Sequence, residues 1–154
     1  MEQSVSFEIL VVEGHVNQSK CLSSQLEGLD APVNVLSVND AETALSLLEK
    51  KPVNLLIIDT FLRGNADGFD LCRNIRSSSA LQQVPVILLL AGTLSLERSK
   101  GISAGADLLL QRPVVKEELC KMVQLLLEWS SYRTNSTAAI VTPSKPSRRL
   151  RSVT

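Results

Sequence analysis

Aromatic side chains are scarce in this chain of 154 residues: three Phe, one Tyr and one Trp, or 3% of the total. The core must therefore be built from Leu, Val, Ile and Ala, and there is no set of aromatic faces on which single-stranded nucleic acid could stack base by base. Histidine occurs once, as His15. Any Ser-His-Asp or Cys-His arrangement would have to use that residue alone, so an autonomous hydrolytic enzyme is not expected. The three cysteines, Cys21, Cys72 and Cys120, are far apart and odd in number. They suit neither a disulfide framework nor the paired spacing of a metal site, and read as reduced, buried thiols of a cytoplasmic protein. Long apolar runs are also missing. The longest, such as Val84 to Ala91, fall far below the roughly 20 residues of a membrane-spanning helix, and the opening Met-Glu-Gln-Ser-Val-Ser lacks the basic start of a signal peptide.

What is present is an ordinary globular composition with an uneven charge distribution. With 44% hydrophobic residues, the chain is long enough for one core and too short for two full domains. The formal net charge is zero, yet residues 1–130 hold all 16 acids against 11 bases, net −5, and residues 131–154 hold five bases and no acid. The expected organisation is a folded domain over 1–130 and a basic tail, SYRTNSTAAIVTPSKPSRRLRSVT, over 131–154. That tail is rich in Ser, Thr, Pro and Arg and has too little apolar surface to offset its ordering entropy, so it is expected to be disordered or a linker. Contact with nucleic acid is expected only through it or through a domain beyond it.

Within 1–130 the hydrophobic period switches repeatedly between strand and helix. Phe7 to Val12 is a short apolar run, followed by Leu22, Leu26 and Leu29 at helical spacing. Val33 to Val38 alternates as a strand. Asn39 then reads as the N-cap of a helix through Ala41, Ala44, Leu45 and Leu48. Val53 to Asp59 is a third strand, Phe69 to Ser77 a helix, Pro85 to Ala91 a fourth strand, Ser95 to Ala104 a helix, Ala106 to Leu110 a fifth strand, and Val114 to Trp129 the last helix. Five strands alternating with five helices imply an α/β fold with a parallel sheet covered on both faces. Such folds collect their chemistry at the carboxyl ends of the strands. Two runs end there on an acid, Glu13 and Asp59.

In sequence order, ILVVEGH, NLLIIDTFLRGNADGFDLCRNIR, PVILLLA and GISAGADLLLQRPV together resemble the receiver domain of two-component response regulators, from about Glu8 to Trp129. The resemblance implies a flavodoxin-like (βα)5 doubly wound sheet of strand order 2-1-3-4-5. It also implies a phosphoacceptor aspartate at Asp59, held against the phosphoryl group by Mg²⁺. On this pattern the metal ligands would be an acid of the first-strand pair, Asp59 itself and the backbone carbonyl of Phe61.

Several positions depart from that pattern. Glu13 matches the first acid of the pair, but Gly14 stands where the second, the direct side-chain ligand, is expected, so Mg²⁺ binding should be weak. Leu90 replaces the Thr or Ser whose hydroxyl would bond a phosphoryl oxygen. Arg112 replaces the lysine, Leu109 the aromatic switch residue, and Arg63 a proline in a loop about one residue longer. Each loss at the phosphoryl site costs about 10²-fold in rate on the usual scale. The expected function is thus a degenerate receiver that acts by docking to a histidine kinase or another signalling protein, with a homodimer through the last two helices and fifth strand also plausible in the family. A working receiver phosphorylated on Asp59 in a His-Asp relay is the alternative. Without a metal, Arg112 would pair with Asp59 or Glu13.

Three other site types with similar topology fit less well. A phosphatase of the haloacid dehalogenase type needs a second Asp where Phe61 stands. A cobalamin turn needs Gly at Gln18. A dinucleotide turn needs more glycines than Gly14 supplies. His15 reads as a solvated loop residue.

Overall fold

The computed structural model describes residues 6–15, 22–92 and 95–135, with side chains through residue 130. Cys21 and residues 136–154 of the expected tail lie outside the described residues. The elements are β1 (Phe7–Val12), α1 (helical over 22–26), β2 (Val33–Val38), α2 (Ala41–Lys50), β3 (Leu55–Asp59), α3 (Gly68–Ser77), β4 (Val86–Leu90), α4 (Ser95–Ala104), β5 (Leu108–Gln111) and α5 (Lys116–Asn135). All strand pairs are parallel and the sheet order is β2-β1-β3-β4-β5. This is the flavodoxin-like arrangement expected from the sequence.

The unalternating apolar strands follow from burial on both sides. Side chains along a strand point to opposite faces in turn. Leu10, Val12, Leu56, Ile58 and Leu88 accordingly join Ala44, Leu71, Ile75 and Ala104 in one core layer, beneath α2, α3 and α4. Ile9, Val11, Leu55, Ile57 and Ile87 face the other way, onto Leu22 and Leu26 of α1 and Leu119, Val123 and Leu126 of α5. Each fully buried aliphatic side chain contributes about 1.5–3 kcal/mol. A polar residue on either face of the central strands would forfeit that, so polar chemistry is confined to the strand ends.

At the amino ends of the strands, one arginine ties three segments together. Arg76, near the end of α3, donates from Nε to the Gly105 carbonyl (2.8 Å), from Nη1 to the carbonyls of Gln82 (3.0 Å) and Val84 (2.7 Å), and from Nη2 to Asp107 Oδ2 (2.7 Å). The same Asp107 oxygen accepts from the Val86 amide (2.8 Å). Backbone carbonyls left in the loops before β4 and β5 are thus satisfied by a single guanidinium.

Three local expectations need correcting. The N-cap of α2 is Asp40, whose carboxylate accepts from the Thr43 amide (2.7 Å); Asn39 instead turns its side chain toward β1. The last helix does not stop at Trp129 but runs to Asn135, past the boundary expected at residue 130. Adding a residue to an existing helix costs little, and Ser-Tyr-Arg-Thr-Asn contains no Gly or Pro to end it. Cys120 is only half-buried, with its thiol donating to the Gln25 carbonyl (3.5 Å), whereas Cys72 is buried as expected. Burial pushes the Cys120 thiol up from its ordinary pKa. Among the described residues no helix is long and apolar enough to cross a membrane.

Candidate functional site

The pairing of β1 with β3 sets Val12 beside Ile58, so the residues that follow, Glu13 and Asp59, emerge side by side at the carboxyl end of the sheet. Both are buried. Glu13 is held through its backbone: its amide donates to the Val38 carbonyl (3.0 Å), and Asn39 Nδ2 donates to its carbonyl (3.1 Å). Asp59 is held by the turn into α3. The Phe61 amide donates to Asp59 Oδ1 (3.2 Å) and the Gly68 amide to the Thr60 carbonyl (2.9 Å).

Gly68 has to be glycine. A Cβ there would lie 2.1 Å from the Asp59 carbonyl oxygen, far inside contact distance. The helix therefore starts flush against the strand end. Asp67 and Asp70 close a reciprocal capping box at that start. The Asp67 amide, followed by the Arg73 guanidinium, donates to the Asp70 carboxylate and holds its pKa below the ordinary carboxylate value.

The third member of the site arrives from β5. The Arg112 amide donates to the Leu90 carbonyl (3.0 Å), and the following peptide, Arg112–Pro113, is cis. From there the guanidinium crosses the strand ends. Its Nη2 donates to Glu13 Oε1 at 2.7 Å and to Asp59 Oδ2 at 2.9 Å. The Arg112 side chain retains 19% exposure, so the cation is largely removed from water and lies between two buried carboxylates. Charge-assisted bonds of this length are the strong kind.

The structure thus brings Glu13, Asp59 and Arg112 together at one strand end. The other positions are arranged differently. The Phe61 carbonyl accepts a hydrogen bond from the Gly14 amide (3.1 Å). Leu90 points into the core layer beneath α2, α3 and α4, and Leu109 is buried as well. His15 is exposed but not merely solvated: its ring stacks on Phe61 with centroids 4.7 Å apart and planes at 17°.

Two contributors were missed. Arg63 Nε donates to the Gly14 carbonyl (3.1 Å) and its amide donates to the Asn39 carbonyl (3.0 Å), so Arg63 ties the loop after β3 to the loops after β1 and β2. Asn39 completes that tie through Glu13. The sequence singled out Asn39 only as a helix cap and Arg63 only as a departure from a proline position, and neither signal pointed to this tie.

Mg²⁺ prefers near-octahedral oxygen coordination. Position 14 offers no side chain, and the Glu13 and Asp59 oxygens converge on a guanidinium instead. Among the described residues no three His, Cys, Asp or Glu side chains converge as a metal site. The residues present do not fit the ion.

Comparison with known proteins places this geometry in context. Residues 9–124 match the family described as the response regulator receiver domain. The chain is a receiver-domain protein of two-component signalling. It is 33% identical over 120 residues to the phosphate regulon transcriptional regulatory protein PhoB of Rhizobium meliloti, covering 78% of this chain and 52% of that one. It is 28% identical over 121 residues to the two-component response regulator ARR17 of Arabidopsis thaliana, covering 79% and 78%. Among solved structures it resembles the signal receiver domain of a signal transduction histidine kinase from Syntrophus aciditrophicus, with TM-score 0.73 and 25% identity over 90% of this chain and 98% of that chain. The receiver spans about half the length of several curated regulators it matches. Receiver domains are signalling modules that work with histidine kinases and other signalling partners.

Proposed function

We propose that this receiver is a degenerate one, acting by protein–protein docking with weak or no phosphorylation of Asp59. The observation that carries the reading is the Arg112 guanidinium bonded to Glu13 and Asp59 at once. A nucleophilic carboxylate must be reachable by phosphorus and neutralised from the phosphoryl side. Here Asp59 is buried and its Oδ2 is already engaged by the Arg112 guanidinium. The ordinary metal ligand at position 14 and the hydroxyl at position 90 are both absent, each a loss on the order of 10²-fold. Mg²⁺ is accordingly not part of the proposed mechanism.

The docking surface in this proposal is formed by α4, β5 and α5. Leu96 and Ile102 on α4, Val115 before α5 and Leu125 on α5 are exposed, which suits an apolar contact with a signalling protein or a second copy. The proposed unit is the receiver over residues 1–130 with its extended last helix, and the basic segment that follows is the proposed route to any nucleic acid.

One observation favours the alternative of a working receiver. Asp59 keeps the strand-end place of an acceptor, with a basic residue beside it. Incubation with a small acyl phosphate and Mg²⁺, and separately with an upstream histidine kinase, decides between the two by intact mass. The expected result is no added phosphoryl group. An adduct formed within minutes and lost in Asp59→Asn would overturn the degenerate reading.

A further inference from the structure

Gly14 is more than a missing ligand. A Cβ built at this position would lie 2.5 Å and 2.7 Å from Cδ2 and Cε2 of Phe61, and 2.8 Å from the Phe61 carbonyl oxygen. No side chain fits while the loop after β3 sits where it does. That loop is fastened from both directions: Gly14 donates its amide to Phe61, and Arg63 donates to the Gly14 carbonyl. The His15 ring in turn stacks against the Phe61 ring.

We infer that Phe61, stacked against His15 and carried on a loop that Arg63 ties to Gly14, is a plug seated where the second acid's side chain would stand. The plug keeps a divalent cation out of this site and requires glycine at position 14. The inference deepens the metal-free reading given above and rests on it. Its content is that restoring the acid alone cannot rebuild a cation site, because the ring and its carbonyl occupy the first atom of any new side chain. The plug must be removed together with the substitution. Half of the Phe61 surface is exposed, so truncating the ring leaves no sealed void and removes the two shortest contacts, leaving the carbonyl contact of 2.8 Å for the loop to relieve.

The test compares wild type, Gly14→Asp, Phe61→Ala and the double variant. Mg²⁺ binding is measured by calorimetry, and Mn²⁺ broadening of the amide signals of residues 13 and 59–61 reports where the ion sits. The expected result is no site-specific binding by wild type, and site-specific binding by the double variant at least roughly tenfold tighter than any by Gly14→Asp, the scale on which the surroundings of a metal ligand act. Gly14→Asp binding as tightly as the double variant would overturn the plug. So would a folded double variant that binds nothing, since Arg112 would then be the excluding group.

If the Asp variants fail to fold, a purely steric cycle with Gly14→Ala and Phe61→Ala tests the same contact. Gly14→Ala should lower Tm in the wild-type background and do so much less in Phe61→Ala; equal losses in both backgrounds would overturn the inference. Mg²⁺ binding by the wild-type receiver would instead count against the metal-free reading itself, so the two failures are distinguishable.

Discussion

Arg112 carries one positive charge between two carboxylates that have almost no access to water, so its removal leaves both acids buried and uncompensated. Breaking a buried ion pair by deleting one partner typically costs 3–5 kcal/mol, much more than an intact pair adds. Arg112→Ala should therefore lower unfolding stability by about 3 kcal/mol. Asp59→Asn should cost only about 1 kcal/mol, because Glu13 keeps the guanidinium in place and the amide oxygen can still accept. Urea midpoints at unchanged slope would check both, and equal losses would mean that the shared contact is not the anchor. Leu90 bears on the same site from the other side. Its side chain packs in the layer beneath α2, α3 and α4, so Leu90→Thr would bring a hydroxyl into apolar surroundings and lose methyl contacts. A loss of about 2 kcal/mol is expected by thermal or chemical unfolding. The leucine is thus a structural commitment, and reinstating the hydroxyl costs stability.

At the scale of elements, the joins between strand ends and helix starts place the site. Gly68 joins β3 to α3 with no room for a methyl group. Gly68→Ala should displace the Asp59 carbonyl and the start of α3 together, a core overpacking worth about 1–3 kcal/mol, read as a lower Tm and as shifted amide signals at residues 59–61. The start of α2 behaves differently because it is solvent-facing. Hydrogen bonds from Thr43, side chain first and backbone second, hold the Asp40 carboxyl below its ordinary pKa. A folded-state pKa below the unfolded one gives stability that is complete above the ordinary Asp value and lost as pH falls through the lowered one. Asp40→Ala should cost about 1 kcal/mol at neutral pH, and the gap to wild type should close in acid. A gap that persists when the carboxyl is fully protonated would assign the effect to something other than the cap.

These elements also show what could be read from the chain alone. The central strands were legible because burial on both faces keeps their middles apolar, the edge strand β2 because it alternates, and Glu13 and Asp59 stood out because they end apolar runs. Arg112 was legible through its place before Pro113. The roles of Asn39, Arg63 and the Phe61 ring were not, because each acts on a residue 25 or more positions away across loops whose hydrogen bonds leave no periodic trace. The α2 cap was misplaced by one residue for a related reason. Asn and Asp are both good caps, and only the tertiary contact of Asn39 with Glu13 decides between them.

On the scale of the whole molecule, the two ends of the sheet do different work. Arg76 and Asp107 close the amino end, and Trp129 lies there too, in a shallow cavity with Val53 and Pro85. Its fluorescence is therefore a poor reporter of events at the opposite, acidic end. Communication from Asp59 to the α4–β5–α5 face would need the hydroxyl at position 90 and the aromatic at position 109 to change state with phosphate. Leucine at both positions is buried and offers neither group, so docking on that face should not depend on the charge at Asp59. Leu96 and Ile102 project from α4 into solvent, and exposed substitutions away from special features rarely alter stability by more than about 0.5 kcal/mol. Leu96→Lys with Ile102→Lys should therefore leave the unfolding midpoint unchanged, yet weaken self-association or kinase binding by roughly tenfold or more, as the loss of apolar anchors does at an interface. Asp59→Asn should leave the same association unchanged. Sedimentation equilibrium on the three proteins, repeated with acyl phosphate present, measures this directly. A phosphate-dependent or Asp59-dependent shift in association would show that the acceptor site still drives the docking face.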